Sequence, residues 1–142
     1  MDNVIHFNNE AITFEHQNPI RIKNWLQSVV NQEGSSVATL SFIFCSDDYL
    51  HQINMEYLNH DTLTDVITFQ YTEVDSESIE GDIFISIDRI KENAAEFNVP
   101  FDAELHRVMV HGTLHLLGYG DKMTEEKAQM TEKENFYLAQ LS

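Results

Sequence analysis

Apolar and polar positions alternate over Val4–Phe7 and again over Ala11–Phe14, a period of two that predicts an opening pair of strands. From Asn18 the period changes. Asn18-Pro19 has the chemistry of a cap and first turn, and Ile20, Ile22, Trp25, Leu26, Val29 and Val30 then form a helical stripe that ends near Gly34. Val37–Cys45, rich in β-branched and aromatic residues, predicts a buried strand, and Ser46-Asp47-Asp48 supplies cap residues for a helix to about Leu58. Asp65–Tyr71 and Asp82–Ile87 predict two more strands, joined by an acidic, solvated loop over Thr72–Gly81. A short helix follows from Ile87 to about Phe97. Pro100 restarts a helix through Leu117, and Thr124–Leu141 forms a last amphipathic helix with Glu125 and Glu126 in its first turn. Because the strands at 65–71 and 82–87 are joined by a loop, the expected architecture is α+β, with helices packed on a sheet of about four strands.

Length and composition are compatible with this picture. A chain of 142 residues with no internal repeat or Pro/Gly-rich linker reads as one domain over residues 1–142. No apolar run approaches the ~20 residues that a bilayer helix needs, so no membrane association is expected. The start, MDNVIHFNNE, lacks the basic and apolar segments of a signal peptide, which makes the cytoplasm the expected location. Cys45 is the only cysteine and reads as buried packing. A net charge of −16, from 24 acidic and 8 basic residues, opposes general nucleic-acid binding, which depends on Lys and Arg neutralising phosphates. It leaves room for an enzyme that meets RNA through a local patch, a metal ion or a basic partner protein.

The helix ending near Leu117 carries the chemistry. Leu105, Val108, Met109, Val110, Leu114, Leu116 and Leu117 spread apolar side chains around most of its circumference, so its histidines sit on a largely buried helix and need partners. His111 and His115 are four apart and project from one face toward a common ion. Gly118 can take a left-handed conformation and turn the chain back, bringing Asp121 to the same ion as a third ligand. Three protein ligands and one water make an open, catalytic type of zinc site, with another divalent metal as the alternative. The plain reading of an H-x-x-x-H pair is two surface or core histidines, but the flanking glycines and the oxygen ligand change it. They resemble the metzincin arrangement H-E-x-x-H-x-x-G-x-x-H, with Gly112 where the protease carries its general-base Glu, which argues against peptide hydrolysis. His6, His16, His51, His60 and His106 have no mutual metal spacing and read as surface or packing residues.

The run His111-Gly112-Thr113-Leu114-His115-Leu116-Leu117-Gly118-Tyr119-Gly120-Asp121 resembles the signature H-G-x-L-H-L-x-G-Y-D-H of the YbeY endoribonucleases, ribosomal RNA maturation factors, and agrees at nine of eleven positions. Upstream, Asn54, Tyr57, Asp61 and Thr64-Asp65-Val66-Ile67-Thr68-Phe69 resemble the family's T-[DN]-V-L-S-F segment, and Gly81-Asp82-Ile83 its G-D-I strand. Two positions depart from the family. Gly120-Asp121 replaces Asp-His, so the third ligand becomes a carboxylate and the site a weaker Lewis acid. A one-residue insertion would instead place Lys122 there, and an ammonium cannot ligate a metal. Leu58 follows Tyr57 where the family typically carries an arginine. Arg107, one turn before His111, is a candidate for positive charge in its place, against the plainer reading of a surface arginine.

The resemblance implies zinc-dependent cleavage of single-stranded ribosomal RNA during ribosome assembly. The expected partners are ribosomal RNA and small-subunit proteins or assembly factors, with no DNA. Asp65 and Asp82 are candidates for lining the pocket, although turn formation and strand starts explain them equally, and Thr68 is a candidate substrate contact that is also an ordinary strand threonine. The main rival is a ribosome-associated binding factor, non-catalytic or weakly catalytic, whose acidic surface docks on basic ribosomal proteins.

Overall fold

Strand-forming and helix-forming segments alternate along the chain as β1 (Ile5–Glu10), α1 (Pro19–Gln32), β2 (Ser36–Cys45), α2 (Asp47–Leu58), β3 (Val66–Gln70), β4 (Ser78–Ser86), α3 (Ile87–Phe97), α4 (Phe101–Leu116) and α5 (Thr124–Leu141). This is a computed structural model, and it describes residues 4–58, 64–71, 77–120 and 122–141. The four strands form one sheet in the order β1-β2-β4-β3. β1, β2 and β4 run parallel, and β3 lies antiparallel to β4 at the edge. The architecture of the described residues is α+β, with five helices packed on a four-stranded sheet.

The two faces of the sheet are covered differently, because successive side chains of a strand point to opposite sides. Phe42, Phe44, Ile83 and Ile85 join the main core with the buried stripes of α1, α3, α4 and α5. On the other face, Cys45, Leu50, Ile53 and Ile67 form a smaller core beneath α2, flanked by Tyr49, Phe69 and Phe84. Cys45 is a packing residue there: its thiol donates weakly to the Ile85 carbonyl at 3.5 Å, and burial pushes its pKa up to about 12.

Two element expectations are corrected. Ala11–Phe14 is not a strand, and β1 pairs with β2 in parallel, Ile5 opposite Leu40. Ala11 has φ 63°, which turns the chain away from the sheet, and the Phe14 ring packs edge-on against Phe44 at 5.1 Å. β4 begins at Ser78, so the last part of the expected loop Thr72–Gly81 is strand, with Ile79 buried opposite Val37. Residues 72–76 lie outside the described residues.

One histidine pair could not be found by sequence spacing. His16 and His106 are 90 positions apart, yet their Nε2 atoms approach to 3.1 Å and the rings stack. The Asn18 backbone N–H donates to His16 Nδ1 at 3.2 Å, which leaves the His16 proton on Nε2 to donate to His106. Burial lowers both pKa values, against the pull of Asp102, and His106 falls to about 4. The unfolded chain therefore binds protons near pH 6.5 while the folded chain does not. This contribution to stability is complete above about pH 6.5 and is lost as pH falls toward 4. Thermal melts should show Tm declining through that window, and His106→Gln should flatten the decline. An unchanged slope in the variant would refute the assignment.

Candidate metal centre

α4 positions the candidate ligands. It packs against the sheet so closely that a Cβ at Gly112 would stand 2.9 Å from Ile83 Cγ2 and 3.5 Å from Thr68 Cγ2. Ile83 is fully buried on a central strand and cannot swing away. Gly112 thus has a packing reason, and the Glu of a zinc protease has no room at this position. Helix propensity alone favours Ala over Gly by about 1 kcal/mol, whereas overpacking costs about 1–3 kcal/mol. Gly112→Ala should lower stability in denaturant unfolding, and a more stable variant would contradict the packing account.

His111 and His115 lie one turn apart on α4, with ring centroids 4.6 Å apart and ring planes nearly perpendicular. Their Nε2 atoms are 3.1 Å apart. Two nitrogens sharing one tetrahedral zinc stand about 3.3 Å apart, so the pair fits a common ion. Directly after His115 the helix ends in a Schellman turn. Gly118 takes φ 107°, its N–H donates to the His115 carbonyl at 3.0 Å, and the Tyr119 N–H donates to the Leu114 carbonyl at 3.0 Å. The Tyr119 hydroxyl then donates to Glu33 Oε1 at 2.5 Å, and Tyr137 and Lys133 also donate to that carboxylate. Burial alone would raise the Glu33 pKa, but these donors together hold it below the ordinary range. The chain is therefore pinned as it turns back beside the histidines. Asp121, the third expected ligand, lies outside the described residues, and among those described no group of three His, Cys, Asp or Glu side chains is placed for a metal.

The most informative partner of the pair is a residue that sequence spacing missed. Glu134 on α5 is buried, and its Oε2 lies 2.6 Å from His111 Nδ1 while its Oε1 accepts from Arg107 at 2.8 Å. A carboxylate at Nδ1 fixes the proton there and turns the Nε2 lone pair toward the ion site. The signal was present as an acidic residue within the buried stripe Met130, Glu134, Tyr137. Arg107, 37% exposed, also donates to Asn135 Oδ1 at 2.7 Å, so its first role is to hold Glu134.

A cavity of about 250 Å³ opens beside His111, lined by Asp65, Glu104, Arg107, Val108 and Glu134. Burial raises the Asp65 pKa, opposed by backbone N–H groups and by His111 and Arg89. Burial likewise raises that of Glu104, helped by Asp65 and opposed by Arg107. The structure thus brings Asp65 and Arg107 to His111. It does not bring Asp82, which lies opposite Phe69, accepts from the Tyr71 hydroxyl at 2.7 Å and shares the α2 face with Phe84. Thr68 faces α4 at Gly112 and does not line the cavity. Lys122 is exposed, and the Leu58 side chain, His60 and Asp61 lie outside the described residues.

The family model described as Endoribonuclease YbeY matches residues 5–142. A protein named Endoribonuclease YbeY from Amoebophilus asiaticus is 48% identical over 134 residues, 94% of this chain and 90% of that one. Its namesake from Flavobacterium psychrophilum is 50% identical over 132 residues, 93% and 92% of the two chains. A solution structure of a Thermotoga maritima protein superposes with a TM-score of 0.68 at 30% identity, covering 96% of this chain and 88% of the other.

Proposed function

Because this chain belongs to the YbeY endoribonuclease family, we propose that it hydrolyses single-stranded RNA at a zinc-dependent site and acts in ribosomal RNA maturation. The observation that carries the reading is the convergence of His111 Nε2 and His115 Nε2, with Glu134 holding the other nitrogen of His111. His111, His115 and Asp121 would hold the ion. When bound, it supplies Lewis acidity toward a phosphodiester and toward water.

The chain's own residues supply the rest. Glu134 orients His111, and Arg107 locks Glu134 while keeping part of its guanidinium at the cavity, where a phosphate can meet it. Asp65 lines the same cavity and would take a proton from an incoming nucleophile. The cavity walls carry three carboxylates to one guanidinium, so an RNA strand is accepted there only with cationic help.

The test is direct. Protein stripped of metal should be inactive on a single-stranded ribosomal RNA fragment, and zinc should restore cleavage in step with about one ion per chain by elemental analysis. A protein that takes up no zinc, or cleaves equally without it, would overturn the reading. The acidity of the chain supports the second reading, a ribosome-associated docking factor, which predicts zinc uptake without cleavage.

A further inference from the structure

A groove of about 640 Å³ lies along the first half of α4, lined also from α1, the end of α3 and the last turns of α5. Its lining is part apolar and part charged. Phe97 and Val99, 60% and 39% exposed, flank Asn98, whose left-handed φ of 57° ends α3, and Leu138 and Leu141 of α5 line the same groove. Two of the chain's eight Lys and Arg residues, Arg21 and Arg107, stand there against Asp102 and Glu104. Charge is therefore balanced, in a chain of −16 whose cavity at His111 is lined by three carboxylates and one guanidinium. Arg21 is exposed and makes no ion pair among the described residues, so its charge is available to a ligand.

Glu104 marks the place where the groove meets that cavity. It lines both, as Arg107 does, and it precedes His111 by seven residues on α4, about 10 Å along the helix. Its side chain is only 7% exposed, yet among the described residues it makes no hydrogen bond or ion pair. A carboxylate in such a place is costly unless donors satisfy it. Its oxygens stay open to the two cavities, so a ligand there can supply the missing donor.

We propose that this groove seats a nucleotide flanking the scissile phosphate of an RNA strand, with its base on Phe97, its phosphate at Arg21 and its ribose 2′-hydroxyl donating to Glu104. The inference rests on the nuclease reading and adds to it the course of the strand and the side chain that tells ribose from deoxyribose. Exposed rings serve as platforms for unstacked bases, guanidinium groups carry phosphates, and the 2′-hydroxyl is the group by which a protein tells RNA from DNA. Arg21 also supplies the cationic help that the cavity at His111 lacks. A basic polypeptide is disfavoured in the same groove, because it would set its cations against Arg21 and Arg107.

The full chain, stripped of metal so that binding is read without cleavage, would be titrated into fluorescein-labelled oligouridylate and oligodeoxyuridylate of equal length, following anisotropy. The ribose strand should bind about tenfold more tightly, and Glu104→Ala should bring the two affinities together. That ratio is insensitive to the general effect of removing one negative charge. Phe97→Ala should weaken binding of both strands about tenfold, the size of one lost base stack. Arg21→Gln should reduce the slope of log affinity against log salt by about 0.7, the share of one phosphate contact. Lys91→Gln, at an exposed site that lines neither cavity, should leave the slope unchanged. A ribose preference that persists in Glu104→Ala would overturn the proposal, as would Phe97 and Arg21 variants that bind like the unsubstituted protein. So would a Gly-Arg-Gly-Arg-Gly-Arg peptide whose binding depends on Phe97 more strongly than that of RNA. The two readings fail separately: these effects in a chain that cleaves nothing with zinc support the groove and sink the nuclease, whereas zinc-dependent cleavage without them sinks the groove alone. Thermal melts of the variants confirm that the comparison is made on folded protein.

Discussion

Simultaneous His111→Ala and His115→Ala substitution should lower zinc affinity by a factor of roughly 10³ or more and abolish zinc-dependent RNA cleavage. Structural zinc sites bind with apparent free energies of about 10–16 kcal/mol, shared among three or four ligands. Losing two of them removes most of that energy. Both rings are only partly buried, so the fold should survive, as far-ultraviolet circular dichroism would show. The readouts are elemental analysis and cleavage of single-stranded ribosomal RNA, beside the unsubstituted protein. Equal residual cleavage by the two proteins would sink the intrinsic-nuclease reading.

Glu134→Ala comes next in size, and it acts without touching the proposed ion. Removing the carboxylate leaves His111 Nδ1 without its orienting acceptor and takes the ion-pair partner from Arg107. Outer partners of metal-bound histidines typically contribute 10–100-fold in affinity or activity, and that loss is expected here. The stability cost is of similar size, about 1–3 kcal/mol, and is limited because Arg107 is partly solvated and can turn toward water. Glu134→Gln separates the two effects. It keeps the shape and one acceptor oxygen, so most of the stability should return while His111 remains less firmly oriented and zinc affinity stays reduced about tenfold. Competition with a zinc chelator measures the affinity, and urea unfolding measures the stability. Zinc affinity unchanged in both variants would show that Glu134 only packs.

The parts of this site legible in sequence were those fixed by local geometry. His111 and His115 meet because positions four apart on a helix always do, and Gly118 announced the turn that follows. The flanking motif was enough to indicate the family, which the match over residues 5–142 establishes. Glu134 was not legible as a partner, because its approach depends on how α5 crosses α4, 23 residues after His111. Asp65 and Asp82 looked equivalent as acidic residues beside strands. Strand parity separates them: Ile83 and Ile85 turn into the main core, which commits Asp82 to the α2 face. Ala11–Phe14 misled because alternation is shared by strands and by loops that fold aromatic rings over a sheet. Sequence placed Gly112 where a zinc protease carries its Glu, and the structure adds a packing cause for the glycine.

The order of strands also governs when the proposed metal centre would come into being. β2 lies between β1 and β4 and pairs with both in parallel, joining residues separated by about 35–42 positions, such as Ile5 with Leu40 and Leu40 with Gly81. Pairings of such long range slow folding, because loop-closure entropy is lost before the contacts form. The wall of the candidate site draws on Asp65, His111 and Glu134, from a strand edge and two later helices. An isolated α4 can bring two imidazoles together, but Glu134 reaches them only once α5 has docked on α4. On the proposed reading, high-affinity metal capture would therefore follow completion of the frame that carries Asp65, His111 and Glu134 and would not nucleate it.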